Sequence, residues 1–415
     1  MSPHATPDPY ADPITFGQRM QILRERRGMS RTVLSGLLGR SPEWVKQVEK
    51  GQIQAPGVEV VLRIAEALRV RDLAELTGLP THVDLFAGPG HPRLAAVREA
   101  VDALPLANRR QAPPVEHVRA RLARAWAARH SAPNHREVVG ALLPELIRDA
   151  QLAVRQAERP SGWRTAQATL SEVYSLCQFF VAYQPDAALL WRVADRSMTA
   201  AQQSEDPHAL GVSAWLLSQA HRDSGPTHLD SADSITHETL AYLEPFLPDA
   251  DDDVLAIAGA LQVEAGHTAA RRGDSGAAWR YWDIARRMAE RLPGTYYHPV
   301  TSFSRAVMGA HAVTVAVELN SGPESVRQAA QADAAAIPSR PRLARHRIEE
   351  ARGYRLDGQP DVAIATLAKA HEAAPETIRY NGHAKAILLE EAESRVAARR
   401  RRASDLAVKV GVLTA

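Results

Sequence analysis

Pro42, Glu43, Trp44, Lys46 and Gln47 crowd into one short stretch, GRSPEWVKQVEKGQ, residues 39–52. Only Val45 and Val48 interrupt them as obvious core positions. A helix kept only for packing does not need such a polar outer face, whereas a helix kept to touch something does. The chemistry on offer is hydrogen bonding to base edges. A glutamate accepts from the cytosine amino group, a glutamine pairs bidentately with adenine, and a lysine reaches guanine or a phosphate. Trp44 is read against a thymine methyl, or else packed on the neighbouring helix or the sugar-phosphate edge.

Other chemistries find less support. Sixteen histidines suggest metal until their spacing is considered, but no HExxH, Cys/His pair or acidic triplet accompanies them. There is no Walker-type loop and no GxSxG elbow, and the single cysteine, Cys177, lacks supporting context and reads as a buried apolar residue. The GPG at 88–90 follows no strand, so it is not a phosphate loop. No catalytic residues, metal ligands or cofactor are expected, and the chain is not expected to be an enzyme.

Charge agrees with the first reading. Over the 415 residues the formal balance is only +2. Residues 16–50, however, hold Arg19, Arg24, Arg26, Arg27, Arg31, Arg40, Lys46 and Lys50 against Glu25, Glu43 and Glu49. A local excess of that kind is the footprint of a nucleic-acid contact. A solvated basic face is the alternative.

The elements that must position these side chains are legible. TFGQRMQILRERRG is an amphipathic helix with Phe16, Met20 and Leu23 on one side and Gly28 at its stop. Ser30 caps a second helix, RTVLSGLL, whose Val33, Leu34, Leu37 and Leu38 form the expected buried side. A three-residue turn opens at Gly39. Ser41 is the next N-cap and Pro42 fills the first helical position, where no N–H is needed. Gly51 stops that helix, and helices over PGVEVVLRIAEALRV and RDLAELTG follow. Two short helices joined by a glycine-containing turn make a helix-turn-helix.

With those residues in place, the stretch MSRTVLSGLLGRSPEWVKQVEKG followed by VLRIAEALRV resembles the five-helix domain of the XRE (Cro/cI-repressor-like) family, over about 63 residues. Ser30, the Val33-Leu34-Leu37 pattern, Gly39, Ser41, Val45, Val48-Glu49, Gly51, Leu62, Ile64-Ala65 and Leu68 carry the likeness. Arg31 replaces a frequent glutamine and Arg40 a usual apolar residue, and both departures add positive charge. The resemblance implies that the second helix of the pair enters the major groove. Pro42, Glu43, Trp44, Lys46 and Gln47 are then the base-contact candidates, and Arg27, Arg31, Arg40 and Lys50 the phosphate candidates. Glu49 is read as structural. Double-stranded DNA with a palindromic operator is the implied partner, since paired heads read two half-sites.

The rest of the chain is read as helical throughout. Hydrophobic residues at 45% and charged at 24% are ordinary globular values, while dominant alanine, leucine and arginine with aromatics at only 5% favour helix over sheet. Residues 1–14 are expected to be a disordered arm, 15–77 the head, 78–114 a linker with one short helix, 115–400 a helical repeat body and 401–415 a short C-terminal helix, its end solvated, with DNA contact or a dimer interface as the alternatives. QPDAALL at Gln184 and QPDVAIA at Gln359 lie four intervals of roughly 44 residues apart, with GDSGAAW at Gly273 and NSGPESV at Asn320 between them. This resembles tetratricopeptide repeats in elongated form. Gly266, Ala351, Tyr354, Ala278 and Ala363 occupy the small and aromatic positions, and residues 115–205 fit poorly. A featureless helical bundle is the alternative. The fold class expected is all-α, a five-helix head followed by a right-handed repeat superhelix.

Stacked helix pairs present a concave face lined by the first helix of each pair. Alignment on the turn glycines puts Trp215, Gln219 and Arg222 there, then His267, Arg271 and Thr314. Arg345, Arg352 and Arg355 complete it, making a positive groove suited to an acidic or carboxylate-bearing ligand, with merely solvated charges as the alternative. Tyr296, Tyr297, His298, Phe303 and His311 are read as core and loop anchors, with a pocket as the alternative. Asp249 to Asp253 mark a helix start.

Head and body together resemble bacterial peptide-sensing regulators. The expectation is a homodimeric transcriptional regulator whose repeats bind a small peptide or metabolite that shifts DNA affinity. A repressor whose repeats only dimerise or hold a protein partner, and a scaffold whose head no longer binds DNA, are the alternatives. No segment is apolar enough to span a membrane and no leader peptide is seen, so the expected location is cytoplasmic, nucleoid-associated when bound to DNA.

Overall fold

The computed structural model describes residues 15–53, 56–68, 70, 76–77, 90–103 and 110–413. The expected arm at 1–14 lies outside the described residues, as do most of the expected fifth helix of the head and much of the expected linker. Every regular element among the described residues is helical, with no strand. The chain divides into two units, residues 1–87 and 88–415.

In the head, α1 (Phe16–Arg26), α2 (Arg31–Leu38), α3 (Pro42–Glu49) and α4 (Val58–Ala67) follow their caps. Thr15 and Gln18 form a reciprocal capping box on α1, a device that the apolar spacing alone does not reveal. Ser30 accepts from the Val33 N–H and Ser41 from the Trp44 N–H, and Gly39 closes α2 in the left-handed region at φ 63°. Met20, Leu23, Leu34, Leu38, Val45, Val48, Ile64 and Leu68 form the core, and Leu76 joins it.

The expected buried side of α2 is half right. Leu34 and Leu38 are buried, but Val33 and Leu37 are 52% and 60% exposed, and Leu62 of α4 is 50% exposed. Eight residues give a short helix only one core-facing stripe, and Ser35 takes the place beside Leu34 and Leu38. A second feature absent from the expected pattern is Gly17. A Cβ there would stand 2.0 Å from the Val48 carbonyl oxygen, so α1 crosses the end of α3 almost backbone to backbone.

The body opens with α5 (Leu94–Asp102), α6 (Val115–Ser131) and α7 (His135–Gln156). The helix expected inside the linker belongs to it, since Leu94, Val97, Ala100 and Val101 are buried in the main core. Antiparallel pairs follow: α8 (Pro160–Val181) with α9 (Ala187–Ser204), α10 (Pro207–Asp223) with α11 (Leu229–Leu243), and α12 (Asp252–Arg271) with α13 (Ser275–Arg291). Next come α14 (Met308–Glu318) with α15 (Gly322–Gln331) and α16 (Arg340–Leu356) with α17 (Pro360–Ala373). A short α18 (Pro375–Arg379) leads to α19 (Gly382–Ala392) and α20 (Ala397–Val410). The turns at Gln184, Gly273, Asn320 and Gln359 each separate the two helices of a pair, so the body is repeat-like. Residues 115–205, which fit the repeat spacing poorly, fold into the same main core.

Two features differ from expectation. The last helix begins at Ala397 and is not a solvated end: Ala403, Leu406, Ala407 and Val410 are buried against α17, α18 and α19. Its arginines are engaged too, with Arg399 bonding Asp361 at 2.8 Å and Arg402 reaching the same carboxylate. Also, the opening helices of the body bond to its late ones. His130 meets Ser339 Oγ at 2.8 Å and the Pro299 carbonyl at 2.7 Å, His135 meets Thr377 at 3.0 Å, and the Arg136 N–H donates to Glu376 at 2.5 Å.

Two glycines of the head should respond oppositely to alanine. Gly17→Ala forces α1 and α3 apart and should cost the head about 2 kcal/mol. Gly36→Ala, where a Cβ meets nothing within 4 Å, should stabilise it by roughly 0.5–1 kcal/mol through helix propensity. Hydrogen-exchange protection of the head's core amides, followed across a urea series, separates the two.

Candidate nucleic-acid interface and inner face of the body

The presentation of α3 rests on a buried ion cluster. Glu49, its last residue, has a side chain with no exposure, and both carboxylate oxygens are used. Arg24 of α1 donates from Nε to Oε1 at 2.5 Å and from Nη2 to Oε2 at 3.1 Å. Arg31 of α2 donates from Nε to Oε2 at 2.7 Å. Arg24 also bonds the Met29 carbonyl at 2.7 Å, holding the loop between the first two helices. Glu49 lifts the Arg24 pKa above its ordinary value, chiefly through that hydrogen bond. One carboxylate therefore ties three helices at a single point.

That arrangement reduces the basic surface expected of the head. Arg24 is buried and neutralised, so it belongs to the interior of the domain. Its place beside Leu23 on the apolar stripe of α1 was the available signal, because an arginine facing a core must have an acid opposite it. Arg31, expected on phosphate, is half-buried and spends its Nε on Glu49. Its remaining guanidinium nitrogens are the part free to face outward.

The other candidates fall on one side. Pro42, Glu43, Arg40 and Lys50 are exposed, and Trp44, Lys46 and Gln47 are half-buried. Lys46 bonds both oxygens of Glu43 at 3.2 Å, so in the free protein these two candidates satisfy each other. Trp44 packs one edge on the head core, and Arg40 lies 5.4 Å from its ring centroid. The tryptophan thus holds the turn arginine over α3, by cation–π attraction. Arg27 closes α1, where its side chain reaches the Leu23 carbonyl at 3.4 Å.

In the body the sequence-predicted groove is corrected. Trp215 is buried in the core, beside Phe179 at 6.3 Å. Thr314 is half-buried and donates to the Ala310 carbonyl within its own helix, and Gln219 is half-buried. Arg355 is exposed and pairs with Glu390. Arg222, His267, Arg271, Arg345 and Arg352 do share one wall, but acids accompany the arginines. Arg222 pairs with Glu264 at 2.8 Å, and Arg271 with Glu318 at 2.9 Å and Asp223 at 3.3 Å. Arg352 pairs with Glu318 at 2.8 Å and Glu349 at 2.6 Å, and Arg345 with Glu349 at 2.9 Å. At these positions the face is a compensated ion network, not a positive groove, because burying unpaired arginines is too costly. A cavity of about 250 Å³ opens where Arg222, Arg271, Glu318 and Arg352 meet.

The carboxylates of this network differ. Burial raises Glu264 to about 7, against the pull of Arg222. Burial opposes ionisation of Glu318 as well, but Arg352 and Arg271 prevail and hold it at about 2.

Comparison with known proteins places the head. Residues 15–79 match the family model described as a helix-turn-helix domain, of the XRE-like type. No curated protein and no solved structure gave a match to the chain. The N-terminal unit is therefore a helix-turn-helix domain, the class associated with DNA-binding regulators, followed by a helical repeat-like region. Among the described residues no helix is long and apolar enough to cross a membrane.

Two substitutions test these electrostatics through stability. Glu49→Gln removes the shared anion and leaves buried Arg24 with only the exposed Glu25 carboxylate, 3.3 Å away, as counter-charge, so the head should lose about 3 kcal/mol. For Glu264 the folded pKa lies above the unfolded one. Its contribution is whole below the ordinary carboxylate range and is lost as pH rises through about 7. Glu264→Gln should therefore gain melting temperature relative to the unaltered protein between pH 5 and pH 8, and the difference between the two curves isolates this group from the buried histidines.

Proposed function

We propose that the protein is a sequence-specific, non-enzymatic transcriptional regulator that binds a palindromic DNA operator as a homodimer. Its helical body would supply the dimer contact and take a small peptide or metabolite signal, and it would act in the cytoplasm. The observation that carries the reading is the outward flank of α3. Glu43, Lys46 and Gln47 stand together beyond a core of Val45 and Val48, on a helix whose N-terminal end is free of packing, in a domain matching a helix-turn-helix model. Such residues meet base edges when this helix lies in the major groove.

The Glu43–Lys46 bond must open for either side chain to meet a base, which costs little at an exposed pair. Arg40 and Lys50, both exposed, bracket the helix from the turn and from its end, and on this reading they neutralise phosphates on either side. Signal response requires only that the ligand bind one arrangement of the two heads more tightly than another.

The test is binding to genomic fragments selected by footprinting, across a range of salt. Gln47→Ala should cost about 1–3 kcal/mol on the selected site and relax preference at one base pair. Lys50→Ala should weaken all sequences alike and make log K fall less steeply with log salt, by about 0.9 for each phosphate that the lysine had neutralised in each head. Binding that is insensitive to salt and to both substitutions overturns the reading.

A further inference from the structure

The compensated network leaves two arginines of the inner face over. Arg129, at the end of α6, makes no hydrogen bond or ion pair among the described residues, and its guanidinium lies 4.0 Å from the Phe179 ring centroid. Arg342, in the first turn of α16, has no carboxylate within ion-pair distance there and reaches only His311 Nδ1, at 3.5 Å. Arg129 adjoins His130, which bonds Ser339 three residues before Arg342, and the charges of both arginines act on the Tyr297 phenol. Burial lowers the pKa of each, that of Arg129 to about 10. Both remain cations at neutral pH, and both are half-buried.

The histidines beside them show a second imbalance. Arg222 Nη1 stands 3.1 Å from His267 Nδ1. A guanidinium only donates, so each arginine makes the Nδ1 it faces an acceptor. Burial, with the arginines nearby, keeps both rings neutral. A neutral ring accepting at Nδ1 carries its hydrogen on Nε2. His267 and His311, their ring centroids 5.5 Å apart, are thereby fixed as Nε2–H donors. The His267 Nε2, in a residue 8% exposed, has no partner among the described residues. Buried donors without acceptors are rare in folded proteins unless something binds them.

We propose that this wall, at Arg129, His267, His311 and Arg342, binds a small acceptor-rich anion, carboxylate or phosphoryl, whose apolar part rests against Phe179. The site deepens the signal-binding reading above by naming the ligand chemistry, and it rests on that reading only for its consequence at DNA. The four residues come from α6, α12, α14 and α16, which are brought together by the contacts of His130 with Ser339 and Pro299. An anion seated there would bridge the opening and late helices of the body.

The test uses the full chain, with citrate and inorganic phosphate as probes at pH 7.5 and ionic strength held constant with choline chloride. One of the two should raise the melting temperature of the body saturably by several degrees, and the one that acts at lower concentration identifies the acid. Arg129→Met and Arg342→Met should each abolish most of the rise without lowering the melting temperature of the free protein, since they remove uncompensated charge. Arg280→Met, on the exposed side of α13, should leave the rise intact. Ring nitrogen shifts of His267 and His311 should move with the same saturation curve in the unaltered protein, which keeps the test independent of the variants. A rise matched by choline chloride, a rise surviving both substitutions, or no response to either anion overturns the proposal. Operator affinity measured in the same solutions separates the two readings. Anion binding that leaves DNA affinity unchanged defeats the sensing role and preserves the site, and the reverse defeats the site alone.

Discussion

Everything the head presents to its surroundings depends on the carboxylate of Glu49. It sits at the end of the helix that carries the outward polar flank, and it receives arginines from each of the two helices before it. A buried carboxylate is tolerable only when its lone pairs are filled and its charge is met. Satisfying that requirement fixes the angle at which α3 leaves the domain. Gly17 adds a steric constraint at the same crossing, where the α1 backbone rests on the Val48 and Glu49 carbonyls. The outward polar flank of α3 is therefore set from beneath, by residues that never reach it.

The body obeys the same rule over a longer distance. Its first helices carry arginines at nearly every station of the inner face, and four carboxylates, Asp223, Glu264, Glu318 and Glu349, are interleaved among them. The network links α10, α12, α14 and α16 through charge-assisted bonds, which are directional and so resist sliding of one pair against the next. Where the interleaving stops, at Arg129 and Arg342, the wall has donors in excess. Paired and unpaired arginines are thus two portions of one surface, separated by whether an acid was supplied.

Much of this is legible in the chain for local reasons. Ser30, Gly39, Ser41 and Pro42 specify helix ends within a few residues of themselves, and they fall where the spacing places them. The turns at Gln184, Gly273, Asn320 and Gln359 are visible because a repeated unit repeats its punctuation. Errors arise where a side chain's partner lies far along the chain. Val33 and Leu37 look like core because period and polarity cannot tell a stripe that meets a neighbour from one that meets water. Arg24 looks like surface charge, and Arg222, Arg271, Arg345 and Arg352 like a positive groove, because their acids come from other helices.

The helical class, the helix-turn-helix with its outward polar flank, and the rhythm of paired helices are all written in the order of residues. They follow from caps, turns and periodicity, which act over one or two turns of chain. Which charges cancel, which histidine nitrogen carries a proton, and that the opening helices of the body bond to the last ones were settled only on folding. Those outcomes depend on groups separated by 25 residues in the Arg24–Glu49 pair and by 209 in the His130–Ser339 bond. Burial sets their energies, and burial is a property of the assembled fold.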